Sequence, residues 1–586
     1  MSTMENPTTT IDPARTVLNQ APSLEPFDHY GSDLALQEAL VREGGGWGVG
    51  RARETGVAAG TAEAREHGRR AEAHEPRLTL HDRWGNRTDT VELDPSWHHL
   101  LGGAIERSLH ALPWQAPDPG EEHGRHVVRA ALFGLWSNVN GGVMCPVSMT
   151  SAVVPALRDG APELAAEWEP RLTRTVYGEA TAGPAFADGT DPGRAALAGM
   201  AMTERQGGSD VRANITRAVE VGSGEYEIHG HKWFCSYPPC DVFLVLAQVD
   251  DGTGALDGDP TAAGADRPGA GLSCFLVERG PGMEFQRLKD KLGTRSLPSS
   301  EVEFRGARGR LVGRPGKGVQ AIVRMVNHTR LDCTIGSTTV LRRGTVEAIH
   351  HARHRRAFGA SLVDQPAMTN VLADLALESE AATASTLRVA RAYDEADAPF
   401  RRFATAVMKY WTCKRAPAHA AEALECLGGN GYVEDSGLPL LYRDAPLQSI
   451  WEGSGNVAAL DVLRALTKEP EGLPAFLAEC EQARGADARL DTHLDHVREQ
   501  TAGLFAGIGE DGRSVDERLA EGQFLARRIV EDLAVGLQGS LLVRHSVPAV
   551  ADAFCAARLA GQGGRVYGTL PTTVDARTVV DRALPA

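Results

Sequence analysis

The strongest constraint on this chain is a change of period. Glu225-Tyr-Glu-Ile-His229 alternates, Asp241–Val249 is β-branched and apolar, Leu272–Glu278 repeats that character, and Ser300–Phe304 alternates again, with Gly and Pro clusters between them. Period two in segments this short predicts an antiparallel β-domain. On both sides the period is helical. Asp33–Glu72 is rich in Ala and Glu and is broken by the Gly44–Gly50 cluster; Trp97–Leu112, Arg125–Trp136 and Pro162–Thr173 complete an N-terminal block that reads as all-α. Past Gly318, Val319, Ile322, Val323 and Val326 form one stripe. The segments Leu331–Ala357, Met368–Asp394 and Phe403–Leu427 follow, and a fourth ends near Leu466, the pattern of a bundle. The expected fold is therefore mainly α with a central antiparallel β-domain and an extra C-terminal helical domain. The expected parts are a polar arm over 1–26, an α-helical domain over 27–198, a β-domain over 199–310, a four-helix bundle over 311–467 and a helical appendage over 473–586. Lys468–Gly472, with Pro470, reads as a hinge, and the Gly-, Asp- and Ala-rich stretch Asp250–Gly271 as a surface insertion.

At 586 residues the chain is long enough for several buried cores. Lys plus Arg number 61 against 77 Asp plus Glu, and a net charge of −16 argues against a surface built wholly to coat nucleic acid. The most apolar run, Val242–Val249, is strand-length, so no membrane span is expected. The opening MSTMENPTTTIDPARTV lacks a basic-then-apolar leader, so no secretion signal is read and a cytoplasmic location is expected. The nine cysteines are scattered with no C-x-x-C spacing, which disfavours zinc and disulfide frameworks. The one Gly-Lys pair, Gly316-Lys317, lacks the following hydroxyl of a P-loop, and no G-x-S-x-G serine elbow occurs.

Three segments carry candidate chemistry. Ala201-Met-Thr-Glu-Arg-Gln-Gly-Gly-Ser-Asp-Val-Arg-Ala213 lies where the α-block meets the first strand. Its adjacent Gly207 and Gly208 permit close backbone approach to a flat heterocycle or a phosphate, with Thr203 and Ser209 supplying hydroxyls; an ordinary glycine turn has equal standing on this ground alone. Glu425-Cys-Leu-Gly-Gly-Asn-Gly-Tyr432 closes a helix, and by spacing Gly428 and Gly429 suit a helix C-cap better than a phosphate cradle. Ile450-Trp-Glu-Gly-Ser-Gly-Asn456 precedes a striped helix. Glu452 there is either a capping carboxylate or, held dry beside Trp451, a base with a raised pKa. His350 and His354 have metal-ligand spacing, but the Arg residues around them would repel a cation, so no metal is expected. Arg464 reads either as facing a channel or as a surface ion pair.

Taken together and in this order, the three motifs resemble the acyl-CoA dehydrogenase superfamily, whose two signature regions look like Ala201–Ala213 and Glu425–Asp444. Leu440 stands where the second signature usually has a basic residue. The resemblance spans about residues 30–466 and implies an FAD flavoenzyme with α-helical, β-barrel-like and bundle domains, usually a homotetramer. It implies that Met200, Ala201, Met202, Thr203, Glu204, Gly207, Gly208 and Ser209 form the flavin-contacting loop. Thr203, Ser209, Ser236 and Arg330 would lie toward the acyl thioester. Trp233, Phe234, Cys235 and Ser236 are similar to the strand that covers the flavin, with Ser236 supplying the hydroxyl that Cys235 lacks. Arg355, Phe358 and Gln365 resemble the segment lent to the FAD pyrophosphate and adenine of a neighbouring subunit, although the Phe-to-Gln spacing is one residue short. Gly428 and Gly429 would face the ADP part, and Ile450, Trp451, Ser454 and Asn456 would hold the cofactor around the base. Glu452 matches the catalytic base; the other position that the superfamily uses holds Thr329, which cannot act as one. The implied reaction is removal of the proton alpha to a thioester carbonyl by Glu452, with hydride passing from the beta carbon to flavin N5.

Further segments look like the AidB-like branch: Val17-Leu-Asn-Gln-Ala-Pro, Asp33–Ala39 with Arg42–Trp47, His126–Thr150, Gly230-His-Lys-Trp-Phe234, and the extra domain past residue 470. Members of that branch are induced by DNA alkylation, show weak isovaleryl-CoA dehydrogenase activity and bind double-stranded DNA through the C-terminal domain. The implied partners are an acyl-CoA or related thioester, an electron-accepting flavoprotein and duplex DNA. The alternative to a working dehydrogenase is an alkylation-response flavoprotein that binds DNA with little turnover. Against duplex binding stands composition: residues 471–586 hold twelve Arg and no Lys against seventeen acidic residues, a net −5, whereas phosphate binding needs clustered cations.

Overall fold

The computed structural model describes residues 16–178, 193–250, 271–395, 397–503 and 514–585. The expected insertion at 250–271 and the first fifteen residues of the arm lie almost wholly outside them.

The N-terminal block holds helices α1 (Leu34–Leu40), α2 (Val49–Ala59), α3 (Ala62–Ala73), α4 (Pro95–Glu106), α5 (Arg125–Ser137), α6 (Met144–Gly160) and α7 (Pro162–Leu172). Asp33, Thr61 and Asp94 each cap the following helix through a side-chain oxygen, and Pro95 occupies the first turn of α4, where its missing N–H is harmless. The block is not all-α. Between α3 and α4 runs a hairpin of β1 (Arg77–His81) and β2 (Arg87–Glu92), paired antiparallel. Its signal was five- and six-residue alternation (Leu78, Leu80; Thr88, Thr90), too short to stand out beside the flanking helical pattern. Asp82 closes the turn by accepting from the Trp84 and Asn86 amides, and the hairpin docks on the β-domain through Phe285 N–H to Asp89 at 3.0 Å.

The middle domain comprises β3 (Ala198–Ala201), β4 (Arg217–Gly222), β5 (Glu225–Cys235), β6 (Val242–Asp250), β7 (Leu272–Glu278), β8 (Met283–Leu288) and β9 (Ser300–Val312). Pairing runs β6-β4-β5-β9-β7 and returns from β7 to β6, so the sheet closes on itself, with β8 on β9. The expected antiparallel sheet is mixed instead. β3 and β4 lie end to end on one edge of β6, and both run parallel to it (Ala198 opposite Val242, Arg217 opposite Gln248). The reason is connectivity: a tight Gly222-Ser-Gly224 turn joins β4 to β5, and β5 then serves as the crossover that brings β6 back in the direction of β4.

The bundle consists of α8 (Gly318–His354), α9 (Pro366–Asp394), α10 (Ala398–Cys426), the shorter α11 (Leu438–Gln448) and α12 (Gly455–Lys468). Beyond it come α13 (Gly472–Glu481), α14 (Ala488–Gly503), α15 (Val515–His545), α16 (Pro548–Phe554) and α17 (Ala576–Ala583). The appendage does not hang from a hinge. α15 packs on α9, α10 and α12, buried Gln538 accepts from Trp411 Nε1 at 3.0 Å, Glu479 on α13 pairs with Arg388 on α9 at 2.9 Å and Arg582 pairs with Glu38 at 2.6 Å. One apolar core runs through all the parts, from Tyr30 to Leu584.

Buried ion pairs tie the parts together. Arg129 on α5 forks onto Asp332 on α8 at 2.6 and 2.8 Å, with both side chains at most 5% exposed. A forked pair out of water holds only while both partners are present. Asp332→Asn, which leaves the Arg129 guanidinium buried beside a neutral group, is expected to cost about 3–5 kcal/mol of unfolding free energy. The apolar double variant Arg129→Met/Asp332→Leu should recover most of it, as read by urea denaturation.

Candidate active site

The three parts meet at the turn between α11 and α12. Glu452 sits there with φ +57° and Gly453 with φ +102°. A left-handed backbone is free for glycine but costs a side-chain-bearing residue about 1–2 kcal/mol, so the turn persists only where its surroundings hold it. Two cations do so. Arg330 Nε donates to the Glu452 carbonyl at 3.1 Å, and Lys409 Nζ donates to the Gly453 carbonyl. Arg330 in turn pairs with Asp461 on α12 at 2.6 Å, and Asp461 also receives Arg402 at 2.9 Å. Trp451 Nε1 donates to Gln448 Oε1 at 3.0 Å and fixes the indole against the end of α11.

The Glu452 residue is half-buried, yet its Oε2 is shut off from solvent and has no partner. Burial pushes its pKa up. The Thr329 hydroxyl and the charges of Arg330 and Lys409 pull against that push, and Asp332 adds to it. Thr329, which occupies the other possible base position, therefore stands beside Glu452: both positions converge on one point. From α6, Cys145 lies within electrostatic reach of Glu452, and Ser236, at the end of β5, hydrogen-bonds the Cys145 thiol. Burial raises that thiol to about 12, so it is a neutral wall residue.

The loop after β3 is shaped by its own side chains. Glu204 and Gly207 exchange two backbone hydrogen bonds at 3.1 Å. The Glu204 carboxylate is buried and engaged by Lys232 Nζ at 2.7 Å, Thr216 Oγ1 at 2.6 Å and the Ile215 amide at 2.7 Å. Its side chain is thus the anchor of the loop, and only its backbone is left to face a ligand. A Cβ on Gly208 would fall 2.6 Å from the Thr203 hydroxyl, so glycine is required there for the loop to fold over Thr203. Met200, Met202 and Thr203 are half-buried, Ala201 is buried and Ser209 exposed. Trp233 N–H donates to Thr203 O at 2.8 Å, joining this loop to β5. At Trp233 and Phe234 the β5–β9 register slips, a bulge that re-aims both rings out of the sheet. Trp233 carries Lys289 Nζ 3.1 Å from its centroid, Phe234 is 45% exposed and Cys235 is buried. Ile450 is exposed; Ser454 caps α12 by position without a side-chain bond.

The other sequence candidates gather in a second place. Arg355 ends α8, Phe358 tips a two-residue hairpin at φ +52° and 98% exposure, and Gln365 Nε2 donates to Ala357 O at 3.0 Å. Gly428 has φ +60° just past α10, so the helix-cap reading holds for it, and a Cβ on Gly428 or Gly429 would meet open space. The arm fastens these loops. Asn19 exchanges two 2.8 Å bonds with the Arg356 backbone, its carbonyl accepts from Arg355, and Gln20 Oε1 accepts from Asn430 at 2.8 Å. Sequence reasoning took this stretch for a loose arm; its one signal was the branch-like Asn19-Gln20 pair. It also missed Lys409, Asp461 and Cys145 at the base, and the Arg527 Nε bond to Asn456 Oδ1 at 2.8 Å that brings the appendage to the same turn. Arg464 is a surface ion pair with Asp461. His350 binds Pro22 O and His354 the His350 carbonyl.

Comparison with known proteins identifies three domains along the chain. Residues 19–179 match the N-terminal domain of the adaptive response protein AidB, 199–307 the middle domain of acyl-CoA dehydrogenases, and 316–467 their C-terminal domain. The chain is 39% identical over 563 residues to the putative acyl-CoA dehydrogenase AidB of Escherichia coli, covering 94% of this chain and 95% of that protein. It is 32% identical over 510 residues to acyl-CoA dehydrogenase family member 11 of Caenorhabditis elegans, covering 83% and 78%. The crystal structure of Caenorhabditis elegans ACDH-11 in complex with C11-CoA superposes with a TM-score of 0.79 at 29% identity, over 100% of this chain and 99% of that one. A chain that aligns almost end to end with such relatives, and that carries their three domains in order around a buried glutamate, belongs to the acyl-CoA dehydrogenase family, in its AidB-like branch.

Proposed function

We propose that this protein is an FAD-dependent oxidoreductase of acyl-CoA thioesters in which Glu452 takes the proton alpha to the thioester carbonyl. One observation carries the assignment: a carboxyl with a sealed, unpartnered oxygen, on a turn clamped by Arg330 and Lys409, at the meeting of bundle, β-domain and N-terminal block. A base so placed has paid its desolvation in the fold and keeps one oxygen free for a proton. Its raised pKa brings it nearer to working pH. Thr203, Ser209 and Ser236 supply hydroxyls on the thioester side, and Arg330 fixes the backbone from which the base projects.

FAD fits the residues present. Gly208 lets the loop close over Thr203, the bulge at Trp233 lies beside that loop, and the open space over Gly428 and Gly429 leaves room for a diphosphate. Met200–Ser209, Trp233–Ser236, Ile450, Trp451, Ser454 and Asn456 would hold the ring end; Arg355, Phe358, Gln365, Gly428 and Gly429 would hold the ADP end. When bound, FAD supplies the two-electron acceptor for the hydride leaving the beta carbon. Reoxidation calls for a two-electron acceptor, which we read as an electron-accepting flavoprotein with oxygen as the alternative, and exposed Phe358 suits contact with a further copy in an assembly we read as a homotetramer. A C11-CoA ligand is seen in the nematode relative; here the substrate is assigned as an acyl thioester, with short branched chains as the first to test.

We read the appendage as poorly suited to binding a duplex. Among the described residues several of its arginines are spent on the protein's own carboxylates: Arg484 on Glu481 and Asp495, Arg489 on Asp487 and Asp552, Arg558 on Asp374, Arg577 on Asp364 and Asp581. Cations neutralised in this way release few counterions from DNA.

Glu452→Gln is expected to keep bound FAD while slowing anaerobic bleaching by acyl-CoA about 10²–10⁴-fold; unchanged bleaching would remove Glu452 from the role. The same variant tests the buried acid by linkage. A carboxyl whose folded pKa is raised contributes stability below its unfolded pKa, and that contribution is lost as pH rises through the folded value. The melting temperature of Glu452→Gln should therefore gain on the parent protein as pH rises from about 4 to neutrality, the reverse of a salt-bridged glutamate. In a salt titration, labelled duplex DNA should show no specific retention by the protein at low salt; tight binding with a steep salt slope would favour the alkylation-response reading instead.

A further inference from the structure

Lys409 is among the most deeply buried side chains in the molecule, at 1% exposure, on α10 in the middle of the bundle. A buried ammonium ordinarily sits against a carboxylate. Among the described residues none lies within ion-pair distance of Lys409; the partner of its Nζ is the carbonyl of Gly453, the residue after the base. An ammonium has three N–H donors, and here one peptide oxygen uses one of them. The carboxyl of Glu452 stands close enough to feel its charge.

The groups that surround Glu452 narrow what this cation is for. From α8 come Thr329, Arg330, Asp332 and Cys333; from α10, Lys409, with Cys413 beside it; from α6, Cys145. Asp332 is held by Arg129 at 2.6 Å and Arg330 by Asp461 at 2.6 Å, so each of those charges is answered locally. Burial keeps the three thiols protonated. Lys409 is the cation left without a carboxylate of its own, and the nearest unanswered acid is Glu452.

We infer that Lys409 is a positioning residue for the base: it pins the left-handed Glu452-Gly453 turn through the Gly453 carbonyl and supplies the counter-charge that lets the buried carboxyl ionise. The inference rests on the reading of Glu452 as the base, but two measurements separate the two. Infrared difference titration against Glu452→Gln follows the protonated carboxyl band of Glu452 in the flavin-loaded protein without any substrate. Stopped-flow bleaching with an acyl-CoA panel, measured against pH, follows the reaction.

Lys409→Met removes both charge and donor; Lys409→Gln removes the charge and leaves an N–H donor of shorter reach toward the Gly453 carbonyl. In both variants the Glu452 midpoint should move up by about one unit, tenfold in its ionisation constant, and the acid limb of the bleaching profile should move with it. At high pH both variants should bleach more slowly than the parent, Lys409→Met about tenfold and Lys409→Gln by less, because the glutamine amide keeps part of the hold on the turn. FAD content and melting temperature show that each variant is folded, and should Lys409→Met fail to fold, Lys409→Gln alone reads the charge. An infrared midpoint within about 0.2 unit of the parent in either folded variant overturns the inference, whatever the rates do. A parent protein whose Glu452 band titrates and shifts as described but which no acyl-CoA bleaches overturns the dehydrogenase reading and leaves the Lys409–Glu452 coupling in place.

Discussion

A left-handed turn that carries a buried carboxyl is a doubly unfavourable element, and the molecule is organised around holding it. Glu452 cannot relax its backbone because Arg330 and Lys409 grip two successive carbonyls from two different helices. Those helices cannot drift, because Arg330 is tied to Asp461 and Arg402 shares that carboxylate from α10. A site that must hold strain and a desolvated acid is better built at a junction of packed elements than on a free loop, since each neighbour removes one way of escape.

The same device recurs where the β-domain meets the rest. Lys232 and Glu204 form an ion pair with both side chains at most 1% exposed, and Glu204 also receives Thr216 and two backbone amides. A carboxylate satisfied on that scale loses little by burial and turns a glycine-rich loop into a rigid one. On α11, Asp444 accepts the Thr294 amide at 2.7 Å, and burial together with nearby Glu72 raises its pKa to about 8. N-terminal block, β-domain and bundle thus share polar joints set into one apolar core, so the cleft between them has fixed walls.

The C-terminal helices belong to this frame. α15 lies on three bundle helices, Arg527 reaches Asn456 four residues past the base, and α17 is locked to α1 and α9 through Arg582. Some of the appendage's arginines join it to the bundle: Arg558 pairs with Asp374 and Arg582 with Glu380, both on α9.

Much was legible from residue order. Period two between Glu225 and Phe304 and period 3.6 on either side are local properties, dictated by which face of each segment meets the core, so the α–β–α order could be read directly, whereas spacing left Glu452 between a helix cap and a base and only the family resemblance chose the base. What residue order left open was every meeting of distant positions. The parallel run of β3 and β4 beside β6, the hairpin at 77–92, the binding of Asn19 to Arg356 and the convergence of Thr329, Lys409 and Cys145 on Glu452 depend on how whole elements pack. Lys409 shows why: on paper it is a lysine in a long amphipathic helix, which by composition belongs to solvent. Packing on all sides of α10 closed that route and left a peptide oxygen as its hydrogen-bond partner.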